Sequence, residues 1–153
     1  DHKYAAQSQS YGPEARGGMC KAEVIIRERP IDFPKVEHPD FLLALTPDSW
    51  DKYRADVKPG GTVIADSTVK IPDESYAYRV VQAPIVETAN EAIKKPMTVN
   101  IVAVGAINAL LGLVSDSALE QAVRMHVPKG TESVNLAALD AGKRLVIDGG
   151  CVS

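Results

Sequence analysis

The chain has 153 residues, with 17 basic and 20 acidic side chains and a net charge of −3 at pH 7. This length favours one domain, spanning residues 1–153, that can bury a hydrophobic core without needing disulfide bonds or a structural metal ion. The weak negative charge argues against a nucleic-acid-binding or membrane-surface protein, because both need clustered lysine and arginine. Hydrophobic residues make up 45% and aromatic residues only 5%, so we expect an α/β domain with an aliphatic core.

Cysteine and histidine are too few and too scattered for a disulfide framework or a metal site. Cys20 and Cys151 lie near opposite ends of the chain, which favours two free thiols in a reducing cytoplasm. The three histidines show no metal-ligating spacing; they are His2, His38 and His126. The polar N-terminal residues lack a signal-peptide pattern, and the apolar run 99–114 predicts a buried helix. We expect a cytoplasmic protein without membrane insertion.

Strands and loops dominate the predicted elements at the start of the chain. Residues 4–9 and 19–27 are predicted strands, because polar and apolar residues alternate weakly in the first and β-branched residues occupy the second half of the other. Three glycines and a proline predict a loop at 10–18 between them. Three prolines predict an extended connector at 28–39.

A strand–helix–strand unit follows the connector. The continuous apolar run 41–45 predicts a strand covered on both faces, and Thr46 and Pro47 are typical of an N-cap and the first helical position. The proline and glycines of 58–61 end this helix, and 62–65 is the next strand, which closes at 66–67. The helix is expected to direct three residues to the core: Trp50, Tyr53 and Val57. This spacing predicts a parallel βαβ unit.

The second half of the chain is predicted to be largely helical. Ser115 and Thr131 are candidate N-caps. The predicted elements are a strand at 76–82 and helices at 85–93, from about 98, at 117–127 and from 131 to about 145. The fold class expected is therefore α/β, with a mostly parallel sheet, helices on both faces and a helical C-terminal half.

Familiar catalytic motifs are missing from the sequence. It contains no G-x-G-x-x-G, no Walker A lysine motif and no G-x-S-x-G elbow. Asp66, at a predicted strand end, has the position of a ribose ligand, but capping of a turn is the commoner role there. Tyr76 and Tyr78 are candidates for stacking on a ligand, although packing is the default role of such side chains.

The loop 10–18 is the strongest candidate for a binding site. Its glycines permit close approach of a ligand, and the guanidinium of Arg16 suits a phosphate or a carboxylate. Glu14 is placed to orient that guanidinium or to contact a partner. The alternative is a tight surface loop with solvated charges. The residues expected to bind a ligand or a partner are Ser10, Tyr11, Gly12, Glu14, Arg16, Gly17 and Gly18.

The motif S-Y-G-P-E-A-R-G-G at 10–18, followed by C-K-A-E-V-I-I, resembles the gamma subunit of 2-oxoacid:ferredoxin oxidoreductases, and most of all the 2-oxoglutarate type. Further landmarks continue in family order at 58–62, 66–67, 100–105, 111–115, 127–132 and 135–136. The resemblance implies a Rossmann-like pyruvate/ketoisovalerate oxidoreductase gamma-type domain. In that family a strand and a G-G-Q-G turn precede the position matching Asp1, and this first βα unit is not in the sequence.

The resemblance also implies a reaction, cofactors and partners. Complexes of this family convert a 2-oxoacid, coenzyme A and oxidised ferredoxin to an acyl-CoA, carbon dioxide and reduced ferredoxin. Thiamine diphosphate, magnesium and iron–sulfur clusters belong to other subunits, so this chain is expected to bind no cofactor and to hold no catalytic residue. Its implied partners are alpha and beta subunits, with a ferredoxin-like delta subunit as a further candidate, and ferredoxin. For the candidate residues of loop 10–18, the resemblance implies coenzyme A or a partner subunit as what they bind.

Two other functions remain open from the sequence. One is a free-standing nucleotide-binding oxidoreductase, against which the missing G-x-G-x-x-G and the lack of an acid–base cluster count. A purely structural subunit would hold other subunits together without touching a ligand.

Overall fold

The computed structural model describes residues 3–11, 20–32 and 35–147. Strands β1 (Tyr4–Tyr11) and β2 (Cys20–Arg27) pair with each other in an antiparallel sheet of their own. Ser10 and Tyr11 belong to β1, so the prediction that they open the loop is wrong. The reason is that the ladder continues to its end, with Ser10 opposite Lys21 and Tyr11 opposite Cys20.

The main sheet has three parallel strands in the order β3–β4–β5. They are β3 (Phe41–Ala44), β4 (Thr62–Asp66) and β5 (Arg79–Ala83). Strand β5 begins three residues later than predicted, since Tyr76 and Tyr78 precede it and stack on each other. The two tyrosines therefore pack against each other outside the strand.

Helix α1 (Pro47–Tyr53) connects β3 to β4. The hydroxyl of Thr46 accepts a hydrogen bond from the backbone N–H of Ser49 (3.2 Å), and Ser49 Oγ accepts one from Thr46 N (3.1 Å). This reciprocal cap and Pro47 confirm the predicted helix start. The α-helix ends at Tyr53 and a 3-10 turn (Arg54–Asp56) follows, so Val57 reaches the core from outside the helix.

Helices occupy most of the chain after β5. Helix α2 (Ile85–Glu87) passes directly into a π-helix (Thr88–Ala92), where a single α-helix is predicted. A 3-10 turn (Pro96–Thr98) leads into α3 (Val99–Leu111). Helices α4 (Asp116–His126) and α5 (Glu132–Ile147) complete the described chain. Ser115 accepts a hydrogen bond from Ala118 N, which confirms it as the N-cap of α4.

The main sheet is covered on both faces, as the fold class predicts. One face carries Ile64, Val81 and Ala83, which pack in one apolar cluster with Val102, Ala106 and Ala138 of α3 and α5. On the other face, Val63 and Ala65 pack in a second cluster with Trp50, Val57 and Val69. Successive β4 residues therefore enter different cores, as the twofold period of a strand requires.

Helices α3 and α5 approach each other unusually closely through two glycines. A Cβ built on Gly105 would overlap the carbonyl oxygen of Leu139, and one on Gly142 would overlap the carbonyl oxygen of Val102. The reversed order of these contacts shows that the two helices run antiparallel. Neither obstacle is a side chain that can rotate away, so both positions require glycine.

We predict that Gly142→Ala lowers the free energy of unfolding by about 2–4 kcal/mol, because overpacking forces two helix backbones apart. Alanine has a higher helix propensity than glycine, so propensity alone predicts that this substitution raises the free energy of unfolding. Urea denaturation of the variant measures the effect. Gln121→Ala, at an exposed position of α4, is the control and should stay within about 0.5 kcal/mol of the parent. An unchanged Gly142→Ala variant would contradict the close helix contact.

For Lys94 we predict a substitution that raises the free energy of unfolding. Within the described residues Lys94 is the only non-glycine with positive φ (57°), and the N–H of Lys95 donates to the carbonyl of Ala89 across it (3.0 Å). Glycine is the usual residue at such a helix end. Lys94→Gly should raise the free energy of unfolding by about 0.5–1 kcal/mol, as measured by urea denaturation. Lys95→Gly, where φ is −142°, should give no such gain.

Candidate functional site

The predicted binding loop lies at the end of the β1–β2 hairpin. Tyr11 and Cys20 form the last described pair of the ladder, so the chain between them connects the two strands at that end. The candidate residues Gly12, Glu14, Arg16, Gly17 and Gly18 lie outside the described residues. Ser10 and Tyr11 are placed by their backbones at the last two positions of β1. The hairpin therefore determines where the loop emerges.

A polar cluster holds the hairpin at the end that carries the loop. The carboxylate of Glu23 accepts hydrogen bonds from Ser8 Oγ (3.0 Å) and pairs with Lys21 Nζ (2.5 Å). The hydrogen bond from Lys21 is the main cause that lowers the pKa of Glu23; Ser8 and the backbone of Val36 act in the same direction, and burial opposes them. Lys21 Nζ also lies 5.5 Å from the centre of the Tyr53 ring, which ties β2 to α1.

The far end of the hairpin is also attached. Lys3 Nζ donates to the carbonyl oxygen of Leu113, which follows the C-terminus of α3 (2.5 Å). A two-stranded hairpin is only marginally stable in water by itself, so contacts at both ends are needed to give it one orientation. The sequence does contain a sign of the contacts made by Lys21 and Glu23. The two opposite charges are two residues apart, so both side chains lie on the same face of β2. Sequence reasoning treated β2 only as an apolar strand and missed them.

Asp66 ends β4 at the carboxyl edge of the main sheet, where ligands commonly bind in open α/β sheets. Its side chain is fully buried. One carboxylate oxygen accepts from Thr68 N (3.0 Å) and Thr68 Oγ1 (2.8 Å), and the other accepts from Val86 N (2.9 Å). Asp66 thus caps the turn after β4 and anchors the start of α2, which confirms the turn-capping interpretation over ribose binding.

Tyr76 and Tyr78 belong to an aromatic cluster on the α1 side of the sheet. Their ring centres lie 5.4 Å apart in a stacked arrangement, and Tyr76 meets Trp50 edge to face at 5.8 Å. Arg54 lies over both Trp50 and Tyr76, with its guanidinium 2.7 Å from Glu74 Oε1. Burial is the main cause that raises the pKa of Tyr76, with the charge of Glu74 adding to it. These contacts support packing as the role of both tyrosines.

A cleft of about 550 Å³ lies at the amino ends of β4 and β5. His38, Lys58 and Tyr78 are among its lining residues, and Lys58 is paired with Asp40 at 2.8 Å. This is the end of a parallel sheet opposite to the usual ligand crevice. Tyr78, a candidate for stacking on a ligand, lines this cleft, and the described loop candidates Ser10 and Tyr11 do not.

The described parts of the chain contain neither a cluster of metal-ligating side chains nor a membrane-spanning helix. Residues 3–11, 20–32 and 35–147 contain no group of three or more histidine, cysteine, aspartate or glutamate side chains placed to hold a metal ion. Cys20 is an exposed free thiol, and Cys151 lies outside the described residues. Searching the same residues, we find no helix with the length and apolar character needed to cross a membrane.

The parallel sheet with an apolar core on each face, together with the separate β1–β2 hairpin, defines an α/β domain. A family model for pyruvate ferredoxin/flavodoxin oxidoreductase matches residues 1–145. The chain therefore belongs to this family, and the resemblance found in the sequence is confirmed.

Individual relatives agree with this assignment. The 2-oxoglutarate synthase subunit KorC of Methanocaldococcus jannaschii is 47% identical over 147 residues, covering 93% of this chain and 77% of the relative. The gamma subunit of a keto/oxoacid ferredoxin oxidoreductase from Geobacter sulfurreducens is 38% identical with a TM-score of 0.83, covering 95% of this chain and 80% of that one.

A more distant structure shares the fold. The 2-oxoglutarate:ferredoxin oxidoreductase of Magnetococcus marinus, solved with 2-oxoglutarate, coenzyme A and succinyl-CoA, is 19% identical with a TM-score of 0.81. The match covers 94% of this chain and 26% of that much longer one. The domain architecture is therefore retained where most of the sequence has changed.

We predict that Asp66→Ala lowers the free energy of unfolding by about 2–4 kcal/mol, because it leaves three donors without their acceptor. Thermal unfolding followed by circular dichroism provides the measurement. Asp73→Ala, at an exposed position, should change stability by less than about 0.5 kcal/mol. Equal effects of the two substitutions would show that the Asp66 contacts do not stabilise the fold.

Proposed function

We propose that the chain is the gamma subunit of a 2-oxoglutarate:ferredoxin oxidoreductase. The complex would convert 2-oxoglutarate, coenzyme A and oxidised ferredoxin to succinyl-CoA, carbon dioxide and reduced ferredoxin. The observation that carries this proposal is the 47% identity, over nearly the whole chain, with a 2-oxoglutarate synthase subunit. The proposed location of the complex is the cytoplasm.

The redox and decarboxylation chemistry is assigned to cofactors on other subunits. Iron–sulfur clusters need several cysteine thiolates, and within the described residues Cys20 is the one thiol. The same residues offer no carboxylate cluster for a magnesium–diphosphate group. The described part of this chain therefore does not fit either group. Thiamine diphosphate, when bound to a partner subunit, supplies the stabilised carbanion that decarboxylation needs.

The proposed role of this chain is to present loop 10–18 to coenzyme A or to a catalytic subunit. Arg16 offers a planar set of donors that matches a phosphate or a carboxylate, and Glu14 is placed to orient it. Support comes from the hairpin, which Lys21 attaches to α1 at the end that carries the loop and Lys3 attaches to Leu113, just after α3, at the opposite end. No residue of this chain is assigned a proton-transfer step.

Reconstitution of the complex tests the proposal directly. The alpha and beta subunits, with the ferredoxin-like delta subunit where present, are assayed for 2-oxoglutarate- and coenzyme A-dependent reduction of ferredoxin, with and without this chain. Activity should appear only when the chain is added. Equal activity without it would overturn the proposal, and nucleotide binding by the isolated chain would then favour the free-standing oxidoreductase.

Arg16→Glu separates ligand binding from scaffolding. If Arg16 binds a phosphate of coenzyme A, the variant should assemble normally but raise the KM for coenzyme A by about 10- to 100-fold, as expected for loss of a charged hydrogen bond. Size-exclusion chromatography measures assembly, and steady-state assays measure KM. Arg124→Glu, an exposed charge reversal on α4, is the control. Loss of assembly with unchanged KM in the residual complex would favour the scaffold.

A further inference from the structure

The chain between the π-helix and α3 forms an exposed corner, defined here as the Lys94–Met97 corner. The π-helix ends at Ala92, and Lys94 reverses the chain in the left-handed region that glycine normally occupies. The other positive φ angles among the described residues all belong to glycines. A lysine at a position where glycine would relieve strain points to a use for its side chain. A π-helix is itself frequent at functional sites.

Met97 is the most exposed large hydrophobic residue of the described chain. It is 93% accessible, against 72% for Met125 and 68% for Ile147. Pro96 precedes it and fixes one backbone torsion, so the thioether is presented from a stiffened turn. Methionine adapts to irregular apolar pockets and is common at binding surfaces. This side chain does nothing for the core of the domain.

The charge of the corner is also unused within the described molecule. Lys94 and Lys95 are both exposed, and none of the ion pairs between described side chains includes them. Glu91 is exposed one turn earlier and pairs with neither ammonium group. A complementary surface would therefore offer an apolar pocket for the thioether and carboxylates around it for the two ammonium groups.

We propose that the Lys94–Met97 corner docks onto a catalytic subunit of the complex, with Met97 in an apolar pocket and Lys94 and Lys95 on carboxylates at its rim. This inference rests on the proposed function, since it needs the chain to work beside other subunits. The proposed contact is separate in sequence from loop 10–18, because the corner lies in the C-terminal half of the chain. The strain at Lys94 is then the cost of placing an ammonium group at that rim.

The affinity of the chain for the co-expressed alpha and beta subunits tests the inference by biolayer interferometry. Met97→Asp should raise the Kd at least tenfold, because it places a carboxylate in an apolar pocket with an acidic rim. Met125→Asp is the matched control at a second exposed methionine and should change the Kd less than twofold. Lys95→Glu should raise the Kd several-fold and weaken its salt dependence, whereas Lys129→Glu should not.

Lys94→Gly gives an independent test, because it should raise the melting temperature and yet raise the Kd about threefold. A structural role alone would not weaken binding in a more stable variant. If Met97→Asp and Met125→Asp bind equally well, the inference is overturned while the proposed function stands. If the unsubstituted chain fails to bind the alpha and beta subunits, the proposed function fails as well.

Discussion

The close contact between α3 and α5 is the constraint on which the helical half of the fold depends. Gly105 and Gly142 let the two helix backbones touch, and small residues such as Ala106 and Ala138 fill the cluster beside them. Small side chains at the contact leave little volume between the helices, so the close-packed interior there is reached by bringing the backbones together. The composition, with 5% aromatic residues, is therefore tied to this geometry.

Stability is distributed unequally between the helical body and the hairpin. The body has two buried clusters, whereas the hairpin is held by polar and cation–π contacts at Lys3, Lys21 and Glu23. Such contacts are individually weak, so the hairpin lies at the low end of local stability. A weakly held hairpin suits a loop that adjusts to a ligand or a neighbouring subunit, while the helical body keeps its structure.

Sequence reasoning recovered the βαβ unit because its signals are local. Thr46 with Pro47 marks the helix start, and the run 41–45 marks a buried strand. The true start of β5 and the anchoring of α2 were missed because both depend on contacts distant in sequence. Tyr76 meets Trp50 of α1 edge to face, and Asp66 accepts a hydrogen bond from Val86 N at the start of α2. The candidate loop was found from glycine and arginine chemistry alone, and its positions 12–18 stay a prediction.

Two positions in this chain break a local rule in opposite ways. Gly142 lies inside a helix, where alanine has the better intrinsic propensity, and the neighbouring backbone of α3 explains why it is there. Lys94 lies at a left-handed helix end, where glycine is better, and nothing within the described fold explains it. Gly142 is explained by internal packing, so its role is in stability. Lys94 is not explained by internal packing and lies beside an exposed methionine, which supports the proposed role in binding a partner.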